Sequence, residues 1–192
     1  MDQVAPQNEI MLNQLFYYIY RIPVPAVLPI IAAAVLIWGV AMRFLAGRFP
    51  SAVKYGNLAL AVVTLGGILY ITVLRSNPGK QELILQPFQS FIEAKQQKEM
   101  YREMLMNVLL FVPFGLTVPF ALTPVKDAVF QRNIRYAVIV LLIAIALSVC
   151  IEAVQYHYAL GRCETDDVLC NTLGALFGVC AYLLQFPKRQ KP

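Results

Sequence analysis

Long apolar runs separated by short polar segments dominate the chain, and five of them approach the length needed to cross a bilayer. A helix rises about 1.5 Å per residue, so about 20 apolar residues bridge the hydrocarbon layer. The runs cover residues 24–45, 58–74, 105–122, 134–156 and 168–186. Residues 137–147 contain no polar side chain, whereas a helix on the surface of a soluble bundle needs a polar stripe. Pro113 and Pro119 fall inside the third run and predict a kink or break there. The pattern predicts an all-α, polytopic membrane helix bundle of about five spans, forming one integral membrane domain over 1–192.

The connector between the second and third runs, residues 76–104, has its own pattern. Leu83, Ile84, Leu85, Phe88, Phe91 and Ile92 lead into a polar stretch from Glu93 to Glu103. An extended entry around Pro87 followed by an amphipathic interfacial helix before the third span is expected. Residues 9–20 carry Ile10, Leu12, Leu15, Phe16 and Ile19 and predict a second interfacial or membrane-dipping helix.

Composition agrees with a membrane fold. Hydrophobic residues make up 59% of the chain and charged residues 14%, with mean hydropathy +0.61. Soluble domains carry about 25% charged residues, so lipid must cover part of this surface. The net charge of +5 reflects Lys and Arg flanking the spans rather than a nucleic-acid surface, because no basic-aromatic patch or binding motif occurs. Short-loop basic residues favour one side (Arg43, Arg48, Lys54, Lys126, Arg132, Arg135, Lys188, Arg189, Lys191) over the other by nine to seven. The prediction is N-terminus outside and C-terminus cytoplasmic. With Asp2 and Glu9 at the start, the chain does not read as carrying a cleavable signal peptide and is expected to be mature at full length.

The candidate chemistry lies in the last three runs. Ser148, Glu152 and Gln155 share one helical face, and a carboxylate at membrane depth costs a few kcal/mol unless it faces protein or water. Asp166 suits an N-cap, and Asp167 the positive first turn, of the fifth helix. Asp167, Asn171, Gly174 and Gly178 then lie along one face. Gly174 and Gly178 form a small-xxx-small pair that admits a close helix neighbour, and a homo-oligomer through them is one expectation. Alternating spans bring Asn107, Glu152, Gln155, Asp167 and Asn171 to one depth near the outer face, with Arg162 and Glu164 in the adjoining turn. Arg162 either neutralises a neighbouring acid or meets a ligand. His157 is expected to be solvated or interfacial. Cys150, Cys163, Cys170 and Cys180 lack metal-ligand spacing, and a Cys163–Cys170 disulfide stays open. No cofactor motif or nucleophile triad is present; a divalent cation at the acidic cluster stays open.

Three segments resemble one family. Asn107-Val-Leu-Leu-Phe-Val-Pro-Phe-Gly115, Ile151-Glu-Ala-Val-Gln155 and Gly161-Arg-Cys-Glu-Thr-Asp-Asp-Val-Leu-Cys-Asn-Thr-Leu-Gly174 are similar to the VanZ-like family, as is Leu85-Gln-Pro-Phe88. The likeness covers roughly 83–184. It implies a small protein of the bacterial cytoplasmic membrane, linked to teicoplanin and lipoglycopeptide resistance, with an unsettled molecular activity. Carried across position by position, it implies functional roles for Asn107, Glu152, Gln155, Arg162, Asp166, Asp167 and Asn171. Many members have an Asp three residues after the Arg. Here Thr165 holds that place and Glu164 precedes it, so Arg162 is shifted by one position or Glu164 supplies the acid.

Three functions follow as expectations. The leading one is a cell-envelope protein binding a membrane lipid or lipid-linked cell-wall intermediate near the outer leaflet. The second is an intramembrane hydrolase or transferase with Glu152 and Asp167 as catalytic acid and base. The third is a proton-coupled transporter, disfavoured because no internal repeat is visible.

Overall fold

The computed structural model describes residues 33–35, 37–38, 40–42, 44–46, 48–74, 81–95, 98–122 and 134–185. The chain forms two compact units, Met1–Ile37 and Trp38–Pro192. In the first, the described residues Ala33, Ala34, Val35 and Ile37 are helical; most of the first expected span and the expected helix over 9–20 lie outside the described residues.

Among the described residues of the second unit, four helices are long and apolar enough to cross a membrane. The first, α1 (Pro50–Leu69), has Pro at its first turn, where the missing N–H has no intrahelical role. It continues as a π-helical turn over Tyr70–Leu74, so the span is longer than the expected 58–74. Leu58, Val62, Val63, Leu65 and Leu69 stay exposed along it, as a lipid-facing helix requires. Beside its start, Trp38, Met42, Phe49, Val53 and Asn57 line a recess of about 190 Å³. Buried Asn57 there donates to Val53 O (2.8 Å) and Met42 Sδ (3.3 Å).

The connector differs from the expected surface-lying helix. It forms a short strand β1 (Glu82–Ile84), a turn, and the short helix α2 (Gln89–Glu93). Most of its polar stretch then becomes the first turns of the next span, α3 (Lys98–Leu122). That helix is unbroken through Pro113 and Pro119, so the expected break does not occur. The Thr117 hydroxyl donates to Pro113 O at 2.8 Å, and both flanking faces are packed: Phe111, Phe114 and Phe120 are buried. Prolines are tolerated within a span where neighbouring helices pack around them.

The next span, α4 (Ile134–His157), ends through Leu160 N donating to Gln155 O (2.9 Å), with Ala159 at φ 50°. This is a Schellman-type stop using alanine in the left-handed region that glycine usually fills. Strand β2 (Arg162–Glu164) follows and pairs in parallel with β1, matching Glu82 to Arg162, Leu83 to Cys163 and Ile84 to Glu164. The last span, α5 (Thr165–Gln185), starts three residues earlier than expected, so Asp166 lies in its first turn rather than capping it.

The core is the meeting of α3, α4 and α5 around Phe111, Phe114, Val140, Ala144, Ala175 and Val179. The α3–α5 contact is backbone against backbone. A Cβ on Gly174 would lie 1.9 Å from Val108 O, and one on Gly178 2.1 Å from Val112 O. The close helix neighbour expected for these glycines is therefore α3 of the same chain. Their face is filled within the molecule and is not open to the second copy proposed from the sequence.

Candidate functional site

The two strands, α2 and the ends of α3, α4 and α5 meet at one end of the bundle. Their polar side chains form two groups with different bonding.

The first group is a clasp built on β2 and the first turn of α5. Arg162 and Glu164 are two apart on a strand and therefore point to the same side. Arg162 Nε lies 3.0 Å from Glu164 Oε1 and 3.5 Å from Glu82 Oε2, and its Nη2 donates to Glu93 Oε2 at 3.2 Å. The Nε contacts are electrostatic, since their angles leave the Nε–H without an acceptor. Glu164 is buried, and its other oxygen accepts the Ser90 hydroxyl in a short hydrogen bond. Asp166, 1% exposed, accepts Phe88 N–H (2.7 Å) and Ser90 N–H (2.8 Å), capping α2 rather than its own helix. Phe88 sits at φ 66°, a conformation that persists in a non-glycine residue only where its surroundings fix it; the Asp166 carboxylate does so.

The electrostatics of the clasp follow. Burial opposes the Arg162 charge, but Glu164, Glu93 and Glu82 outweigh it and raise the guanidinium pKa. Glu93 is held below the ordinary glutamate range, first by the Gln89 amide (3.0 Å) and then by Arg162. The departure from the family pattern thus has a physical answer: Glu164 is the acid that faces Arg162.

The second group is a seam between α4 and α5, closed by α3. Glu152 on α4 is buried and accepts Glu164 N–H at 3.0 Å and the Cys163 thiol. Asp167 on α5 accepts the Asn107 amide from α3 and lies near enough to Glu152 for the charges to repel. One turn deeper, buried Asn171 donates to buried Ser148 at 2.8 Å. One turn shallower, Gln155 donates to Thr72 O (2.9 Å) on the π turn that extends α1. The oxygens of both amides, Gln155 Oε1 and Asn171 Oδ1, are buried without a donor.

The residues singled out in the sequence therefore gather at one end, but not in one role. Asn107, Glu152, Gln155, Asp167 and Asn171 share the seam; Arg162, Glu164 and Asp166 bond within the clasp. Arg162 neutralises neighbouring acids, Glu164 two residues on and Glu82 and Glu93 from the connector. The sequence reasoning missed Ser90, Glu82, Glu93 and Cys163. Topology offered the signal for two of them, since the expected spans put Glu82 and Glu93 on the same side as Arg162. All four cysteines are free, so Cys163 and Cys170 form no disulfide. Burial, then the neighbouring Glu152 carboxylate, pushes the Cys163 thiol pKa up. Among the described residues no three His, Cys, Asp or Glu side chains are grouped to hold a metal ion.

Comparison with known proteins gives a consistent assignment. Residues 61–186 match the family model described as VanZ/LLP1. Over 82 residues, 43% of this chain, the sequence is 30% identical to "Protein VanZ" of Enterococcus faecium. That match spans 45% of the relative's length. No solved structure matches. A multi-pass helical membrane architecture, the Asn107, Glu152 and Asp167 segments in contact at one end, and a family match across most of the chain agree: the protein belongs to the VanZ/LLP1 family.

Proposed function

We propose that this chain binds the polar head of an envelope lipid or lipid-linked cell-wall intermediate at its polar end, and thereby lowers susceptibility to teicoplanin-type glycopeptides. In this reading the N-terminus is outside, the C-terminus is cytoplasmic, and the polar end faces the outer leaflet of the bacterial cytoplasmic membrane. The observation that carries the reading is the meeting of Glu152 and Asp167, from two apolar helices, beside Asn107 from a third. Carboxylates within a span are costly, face protein or water where they occur, and mark ligand sites or pathways. The resistance role is carried from the family resemblance and from the similarity to Protein VanZ. The test is glycopeptide susceptibility in cells expressing wild-type, Glu152→Gln or Asp167→Asn chains at equal membrane abundance. Loss of protection in both variants is expected; full protection in both refutes the reading.

A second reading, an intramembrane hydrolase or transferase, gains one feature that the sequence lacked. The Cys163 thiol bonded to Glu152 is a nucleophile beside a base. Its raised pKa is the reverse of the depressed value that activates a thiolate, so binding remains ahead. Unchanged protection in Cys163→Ala supports binding; its abolition favours catalysis.

A further inference from the structure

Charge and hydrogen bonding together limit what the seam can receive. The Arg162 guanidinium contacts Glu82, Glu93 and Glu164, which leaves Glu152 and Asp167 facing one another without it. Glu103, Glu164 and Asp166 add negative charge around Asp167. Among the described residues, the donors that reach the two carboxylates are neutral: Glu164 N–H, the Cys163 thiol and the Asn107 amide. Two carboxylates offer about eight acceptor sites, far more than these donors fill.

The amides add an independent observation. Asn171, 2% exposed, has its Nδ2 fixed on Ser148 while its Oδ1 has no donor. It lies one turn from Asp167, as Ser148 lies one turn from Glu152, so its oxygen belongs to the same seam. Gln155 repeats the arrangement one turn above Glu152, with Nε2 on Thr72 O and Oε1 without a donor. Both orphaned seam atoms are acceptors. A buried acceptor left unmade costs about 1–3 kcal/mol, and a partner that supplies donors recovers it.

We infer that the group received between α4 and α5 is a primary ammonium, the amine of an amine-bearing headgroup, and not a phosphate or carboxylate. This rests on the binding reading above and names its ligand class. An ammonium brings three donors, no acceptor and a positive charge, complementing the two carboxylates and the Asn171 amide oxygen one turn from Asp167. An anion brings only acceptors to a site that already has too many. The arginine carried over as a ligand contact is instead a positioning residue: through Glu164, whose N–H holds Glu152, it sets the height of the receiving carboxylate.

The experiment uses the full chain in phosphatidylglycerol nanodiscs, free of other amines, with binding read by native mass spectrometry. The probes are dodecylamine, dodecyltrimethylammonium (equal charge, no N–H) and dodecyl phosphate. The wild type is expected to bind dodecylamine about tenfold more tightly than dodecyltrimethylammonium, as loss of a charge-assisted hydrogen bond implies. Glu152→Gln and Asp167→Asn are each expected to weaken dodecylamine about tenfold. Equal retention of both cations, which marks partition into the lipid only, overturns the inference, as does preference for dodecyl phosphate. Should a variant not fold, the three-probe comparison on the wild type decides alone. Protection lost in Asp167→Asn with amine binding unchanged leaves the binding reading intact and removes only the ammonium. Protection retained in Glu152→Gln and Asp167→Asn removes the binding reading itself.

Discussion

The clasp and the seam lie side by side at one end of the bundle, contain the same kinds of residue, and differ in who satisfies them. In the clasp, Asp166 accepts two backbone amides and Glu164 takes a serine hydroxyl and an arginine, so the chain answers its own buried charge. In the seam, among the described residues, Glu152 and Asp167 each have neutral donors and repel each other, and two neighbouring amide oxygens have no donor. Adjacent aspartates, Asp166 and Asp167, fall on opposite sides of this division. Position along a helix, not residue type, decides which carboxylate the fold satisfies with backbone amides and which it leaves beside a like charge.

This division makes stability and function separable, and four substitutions probe it. The largest expected effect is at Arg162. Arg162→Gln leaves Glu164, whose side chain is 7% exposed, as a buried charge without its cation. A loss at the low end of the roughly 3–5 kcal/mol typical of broken buried pairs is expected, because Arg162 itself is partly exposed. A fall in thermal midpoint of the detergent-solubilised protein checks it. Asp166→Ala comes next, because it frees both amides that hold α2 and leaves Phe88 in a left-handed conformation with nothing to fix it. A loss of about 2 kcal/mol is expected, at the upper end for a lost helix cap, with protease cleavage between β1 and α3 as a second readout.

Across the division the sign changes. Asp167→Asn keeps an oxygen for the Asn107 amide and removes one of two mutually repelling charges, so stability should be unchanged or slightly raised. A midpoint that falls as far as in Asp166→Ala would erase the distinction between the groups. The smallest expected effect is at Glu93, which lies at the solvent edge of the clasp. Its pKa is depressed in the folded state, so its contribution is present above the ordinary glutamate range and fades as pH falls through the folded value. Glu93→Gln should therefore narrow the stability difference between neutral and acid pH, and only slightly, because solvent screens a pair at the surface.

Much of this was legible in the chain itself. Apolar runs placed four spans to within a few residues at most ends, and alternation of those spans put Asn107, Glu152 and Asp167 at one end before any coordinates. The small-residue face at Gly174 and Gly178 announced a close helix neighbour, though not that α3 would fill it. The β1–β2 pairing was not legible. Three residues per strand carry no readable period, and the pairing joins positions 80 residues apart, such as Glu82 and Arg162. For the same reason Asp166 looked like a cap for its own helix: the amides it holds belong to Phe88 and Ser90, brought in by that pairing. Pro113 and Pro119 misled about a break, because a proline's local preference gives way where packed neighbours keep the helix continuous through it.

The central claim, that the fold tolerates loss of the seam's charge while function does not, is met most directly by one paired measurement on Asp167→Asn. Teicoplanin susceptibility of the cells and thermal midpoint of the protein extracted from the same membranes are read together. The account predicts an unchanged or raised midpoint with protection lost. A lowered midpoint, or protection equal to wild type at equal abundance, contradicts it.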